Sequence, residues 1–157
     1  MNKETSSSPK VSELKSHTGF WLRFVSNHVS HAFARKLLNS GVTVAEWVVL
    51  REIFDTEEMP PSTLAEQTGL TRGAISKLIE RLVLKKLVSR KEGSEDRRYQ
   101  RIALTPAGRR LVPKLAAIAD SNDHEFFQPL TAKERKALIA TLKKLVQAHD
   151  LHKLPTE

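Results

Sequence analysis

A chain of 157 residues carrying a formal charge of +8 and no cysteine is one domain, or two small ones sharing a core, and it can form neither disulfides nor thiolate zinc sites nor a cysteine redox sensor. Hydrophobic residues make up 39% of it, enough to bury a core and to exclude global disorder. No apolar run is long enough to span a bilayer, and Met1 leads into polar residues rather than a signal segment, so the chain reads as an intracellular, cytoplasmic protein with no membrane partner.

Residues 1–10 form a polar tail with the composition of disorder. From Val11 to about Leu38 the apolar residues Leu14, Trp21, Leu22, Val25, Val29, Phe33 and Leu37 recur at helical spacing, and Gly41 stands just past the end as a stop. Thr43 and Glu46 have the spacing of a capping box, and Trp47, Val48, Leu50, Ile53 and Phe54 continue a second helix. Pro60-Pro61 breaks the chain. Pro61 suits the first position of a third helix, or Ser62 caps a shorter one. Leu64, Ala65 and Leu70 anchor it.

The stretch from Thr71 to Leu82 is the most informative. Ile75, Leu78, Ile79 and Leu82 make one buried stripe at i, i+3, i+4, i+7, while Arg72, Gly73, Ser76, Lys77 and Arg81 fall on the other side. A helix, a tight turn at Gly69 and a second helix with a basic outer face have the form of a DNA-reading helix-turn-helix. The charge is concentrated here. Residues 71–101 hold ten Lys and Arg against four acidic residues, six of the chain's eight net positive charges, and such clustering favours a polyanion as partner.

Beyond about Lys86 the period changes. Residues 87–91 and 99–104 read as two strands around a charged loop, with Gln100, Ile102 and Leu104 on one face and Tyr99, Arg101 and Ala103 on the other. A lone hairpin is marginal, so it must lean on the helices. Thr105-Pro106 starts a long helix with Pro113 inside it, which runs to about Phe127. Thr131 and Glu134 cap a last amphipathic helix carrying Leu138, Ile139, Leu142, Leu145 and Val146 to about Ala148, and 150–157 is a tail.

Asp96-Arg97-Arg98, five residues, then Leu104-Thr105-x-x-Gly108 has the D-x-R-x5-L-T-x-x-G spacing of the wing signature of the MarR family, and residues 11–149 resemble that family of bacterial winged helix-turn-helix regulators. The resemblance implies a mainly α fold with a small β-hairpin wing. It implies a homodimer intertwined through residues 11–40 and 106–149, with residues 43–105 as the winged DNA-binding domain. It also implies a transcriptional regulator, in the commoner case a repressor, that binds a pseudo-palindromic duplex and associates with the nucleoid. Two departures stand out: Lys86 occupies the place of the glycine that usually closes the recognition helix, and Pro60 that of a capping hydroxyl.

On this reading Thr71, Arg72, Gly73, Ser76 and Lys77 face the major groove, and the fork of Arg72 suits guanine O6 and N7. Arg81, Lys91 and Arg97 are phosphate contacts, Arg98 matches the arginine that relatives insert into the minor groove, and Asp96 orients the wing. Many relatives are released by small aromatic or phenolic effectors. Trp21, Phe24, His28, Phe33 and Trp47 are the candidate walls of such a pocket, although aromatics at helical spacing are more often core. His17, His28 and His31, and His124 with Asp120, Asp123 and Glu125, are too sparse to imply a metal, so neither metal nor cofactor is expected. No nucleophile elbow, phosphate loop or paired acids suggest an enzyme. The competing class is a winged helix that binds protein rather than reading DNA.

Overall fold

The structure is a computed structural model that describes residues 10–92 and 100–152. A short 3-10 turn at Leu14–Ser16 precedes α1 (Thr18–Leu37), so the first helix starts seven residues later than its periodicity suggests. The Trp21 indole N–H donates to the Lys15 carbonyl at 2.9 Å and folds this turn onto α1. A second 3-10 turn ends at Gly41, whose φ of 67° is the left-handed conformation glycine adopts at little cost.

Next comes α2 (Val44–Phe54). Its capping box is complete: the Glu46 N–H donates to Thr43 Oγ1 at 3.2 Å, and the Thr43 N–H to the Glu46 carboxylate at 2.9 Å. Then α3 (Pro61–Thr68) begins with Pro61 at its first position and Pro60 at the cap. The alternative of a shorter helix capped by Ser62 is therefore corrected, because a proline there pre-sets φ and removes an N–H that would have had no partner. Gly69 (φ 71°) turns the chain into α4 (Arg72–Leu84).

At the end of α4 the Lys86 N–H donates to the Val83 carbonyl and the Leu87 N–H to the Leu82 carbonyl. This Schellman closure places Lys86 at φ 59°, the left-handed position glycine usually fills, and the fold carries the resulting strain.

The strands β1 (Val88–Glu92) and β2 (Gln100–Leu104) pair antiparallel, with Val88 opposite Leu104 and Lys91 opposite Arg101. Met59 adds a third short rung through reciprocal bonds with Ile102 at 2.8 and 2.9 Å. The expected alternation of faces in the second strand breaks down: Ile102, Ala103 and Leu104 are all buried, because α2, α3 and α5 all meet β2.

Thr105 caps α5 (Pro106–Phe127), its hydroxyl accepting from the Gly108 N–H at 3.1 Å, and α6 (Ala132–Ala148) starts from the capping box of Thr131 and Glu134. The fold is thus mainly α with a small antiparallel hairpin. Its core gathers Leu37, Val49, Leu50, Ile53, Leu64, Ile75, Ile79, Leu82, Ile102, Val112 and Leu115 from α1 through the first half of α5. The other end is different. Trp21, Leu22, Phe24, Val25, Leu138, Ile139, Leu142, Leu145 and Val146 are all exposed, and α6 buries nothing. Between α1, α5 and α6 runs an apolar groove of about 450 Å³ lined by residues that include Trp21, Leu22, Val25, Phe126, Leu138, Leu142 and Leu145.

Candidate nucleic-acid interface

The four apolar residues of α4 dock the helix on the core, and its 3.6-residue period then turns Gly73, Ser76, Lys77 and Arg81 away from it, with Arg72 at the margin of the buried stripe; all five are exposed. Thr71 has a second task, since its hydroxyl accepts from the Ala74 N–H at 3.1 Å and caps the helix. Gly73 sits in open space, with nothing within 4 Å of where a Cβ would stand. A glycine costs an exposed helix about 1 kcal/mol relative to alanine, and no packing within this chain requires one here. The room lies outside, where a partner would approach.

Beside α4 opens a cleft of about 450 Å³, lined by Pro60, Pro61, Ser62, Arg72, Ser76, Ile79, Arg90 and Gln100. Three elements meet there: the start of α3, the start of α4 and the hairpin. Two guanidinium groups and two hydroxyls on one concave wall suit a phosphodiester backbone. Sequence reasoning does not single out Ser62, Arg90 or Gln100 for this wall. The only signal for Arg90 is its place in the basic run, and nothing local marks the other two.

Lys91 is less free than its sequence position suggests. It lies 3.7 Å from Glu58 Oε2, and its cross-strand partner Arg101 lies 3.3 Å from Oε1 of the same carboxylate. Like charges directly opposite destabilise a ladder, and Glu58 offsets this pair. Asp96, Arg97 and Arg98 lie outside the described residues.

The aromatic candidates for an effector pocket fall into two groups, since Trp21 and Phe24 meet edge to face at 6.3 Å. Trp21 lines the apolar groove. Phe24 in turn meets His28 on the exposed side of α1, the ring planes tilted by 54° and the centroids 4.6 Å apart. Phe33 and Trp47 meet edge to face at 6.4 Å against the core. Among the described residues no three His, Cys, Asp or Glu side chains converge as a metal would need. His17, His28 and His31 are all exposed, and Glu125 is held by Lys36 at 2.6 Å and Ser121 at 2.7 Å.

Behind α4 lies an ion pair whose carboxylate is buried and whose lysine reaches solvent. Glu46 is only 1% exposed, and Lys85, just past the last residue of α4, donates to its carboxylate at 2.7 Å. Burial raises the Glu46 pKa, but hydrogen bonds from Lys85 and Thr43 outweigh it, so the carboxyl ends below its ordinary value of 4.5. A depressed carboxyl pKa stabilises the fold above the unfolded value and loses that contribution as pH falls through the folded one. The urea midpoint of the wild type is therefore expected to drop in the acid range below about pH 4.5, and that of Glu46→Gln to drop less steeply. Parallel acid limbs for the two proteins would show that Glu46 is not responsible.

A helix-turn-helix with a cationic outer face, followed by a hairpin that completes one cleft with it, defines a winged helix protein built to meet nucleic acid. The MarR family model matches residues 40–98. A Thauera aromatica protein assigned as transcriptional regulator of the hcr operon is 30% identical over 128 residues, covering 81% of this chain and 77% of its own length. Bordetella bronchiseptica BpsR, solved in a study of how 6-hydroxynicotinic acid regulates its DNA binding, superposes with a TM-score of 0.79 at 26% identity over 87% of this chain and 97% of its own. A cysteine-to-serine mutant of Escherichia coli MarR complexed with operator DNA shares the fold, with a TM-score of 0.78 at 24% identity over 86% and 99% of the two chains. The chain belongs to the MarR family of DNA-binding transcriptional regulators. No helix among the described residues is long and apolar enough to cross a membrane.

Proposed function

We propose that two copies of this chain bind a near-palindromic duplex operator, repress transcription there, and release the DNA when a small aromatic ligand binds. The observation that carries this reading is the outer face of α4, where Arg72, Lys77 and Arg81 flank the small residues Gly73 and Ser76 with no packing demand of their own. Residues 43–105 are the reading domain, and residues 11–40 and 106–149 form the dimer, for which the uncovered apolar faces of α1 and α6 are the support. Two symmetry-related α4 helices about 34 Å apart would enter successive major grooves. Arg98 would reach the minor groove, with Arg97 on phosphate and Asp96 setting the angle of the wing. The protein works in the cytoplasm, on the nucleoid, and catalyses nothing. The ligand is proposed as a hydroxylated aromatic compound by likeness to BpsR, held either by Trp21, Phe24 and His28 on the open side of α1 or by Phe33 and Trp47 at the core.

The test is to select bound fragments from genomic DNA and then titrate salt on the selected site. DNA reading predicts a log–log slope of about −0.9 per phosphate contacted. Binding that ignores salt and sequence would leave a protein-docking winged helix as the better reading. Arg72→Ala is expected to cost about 1–3 kcal/mol on the selected operator and to relax base preference at one position. An equal loss on random duplex would reduce Arg72 to a phosphate contact.

A further inference from the structure

Two of the three donors of the Lys85 ammonium are engaged on the protein side. The ammonium donates to the Glu46 carboxylate at 2.7 Å and to the Gly41 carbonyl at 2.7 Å. Gly41 and Glu46 bracket the junction where α1 hands over to α2, and Glu46 is itself fixed by the Thr43 capping box. Lys85 is the residue immediately after α4. The next two residues are fastened on the other side: the Thr105 hydroxyl donates to the Lys86 carbonyl at 2.8 Å, and the Thr105 N–H to the Leu87 carbonyl at 3.0 Å. Thr105 is the cap of α5. The inner end of α4 is therefore tied at once to the foot of α1 and to the head of α5.

We infer that Lys85 is a positioning residue for DNA reading: by bridging Gly41 and Glu46 it makes α4 take its tilt from the end of α1. This rests on α4 being the reading helix. Three features separate Lys85 from the basic residues around it. Its charge meets two acceptors behind the helix, away from the face that carries Arg72 and Lys77. Its carboxylate partner is buried, so a broken pair would leave a charge without solvent. The tie also spans 39 residues to Glu46 and 44 to Gly41, so a shift of α1 against the core is passed to the far end of α4 by one side chain. Reading bases requires the helix to sit in the groove at a set angle, whereas holding phosphates tolerates error.

The experiment compares Lys85→Met with wild type on the selected operator and on random duplex of equal length, with salt slopes and thermal midpoints. The operator preference of the wild type is read first. A wild type without preference removes the regulator reading and this inference together; a wild type with preference leaves the inference alone at stake. For Lys85→Met the expected result is a loss of about tenfold on the operator, unchanged affinity for random duplex and an unchanged salt slope. A lower midpoint with the operator-to-random ratio intact would overturn the inference, because the tie would then serve stability only. A loss on both duplexes with a slope shallower by about one would overturn it too, because Lys85 would then be touching phosphate. Should Lys85→Met not fold, Glu46→Gln keeps the shape of the site and removes the opposing charge. It is expected to lower the same ratio by a smaller factor, and an unchanged ratio would overturn the inference.

Discussion

Gly108→Ala is expected to destabilise the fold by about 3 kcal/mol or more. A Cβ at Gly108 would lie 2.2 Å from the Leu87 carbonyl oxygen, 3.2 Å from the Leu87 carbonyl carbon and 3.3 Å from Leu104 Cδ2. The oxygen cannot step aside cheaply. It accepts from the Thr105 N–H, while the Leu87 N–H closes α4 on the Leu82 carbonyl. Relief would require moving the first turn of α5 away from the junction of α4 and β1, which would open the core around Val88, Leu104 and Val112. At fixed protomer concentration the thermal midpoint should fall by about 6–12 °C for a loss of that size. A change under about 1 kcal/mol would show that α5 slides without loss. Gly73 supplies the control. It is exposed and helical, and a methyl group there meets nothing, so alanine should leave the midpoint no lower.

The second large effect belongs to the apolar groove. Leu142→Glu is expected to convert a dimer to monomers and to weaken operator binding by about a hundredfold or more, because two linked reading heads bind with an avidity that neither has alone. Leu142 is 37% exposed and lies in a wall shared with Trp21, Val25, Leu138 and Leu145. An uncovered apolar face of this extent marks an interface rather than a solvated surface, and a carboxylate buried there would lack a partner. Light scattering and operator titration should move together. A variant that stays dimeric would place the dimer face elsewhere, and a wild type that is monomeric at micromolar concentration would remove the dimer altogether.

Local chemistry made most of the fold legible in the sequence. Helix starts at Thr43, Thr105 and Thr131 announce themselves because a cap is written within four residues. The buried stripe of α4 is legible for the same reason, as is its exposed cationic face. Apart from the late start of α1, what failed was non-local. Ala103 is buried because helices distant in sequence meet β2, a condition that alternation within a strand cannot express. Met59 joins the hairpin from 43 residues away. Arg109 donates to the Phe54 and Thr56 carbonyls, which come from the end of α2 and just beyond it. Glu46 could be recognised as half of a capping box, but its second role with Lys85 could not. The cleft wall of Ser62, Arg90 and Gln100 is another product of tertiary folding.

The Glu58 carboxylate has a consequence for how strongly the wing is drawn to an operator. Lys91 and Arg101 already share an anion before any duplex arrives. Docking there is an exchange of one negative partner for another, with few condensed ions set loose. Tallying basic residues along the ribbon therefore overstates its pull, and removing Glu58 would make the protein stickier toward nucleic acid of any sequence.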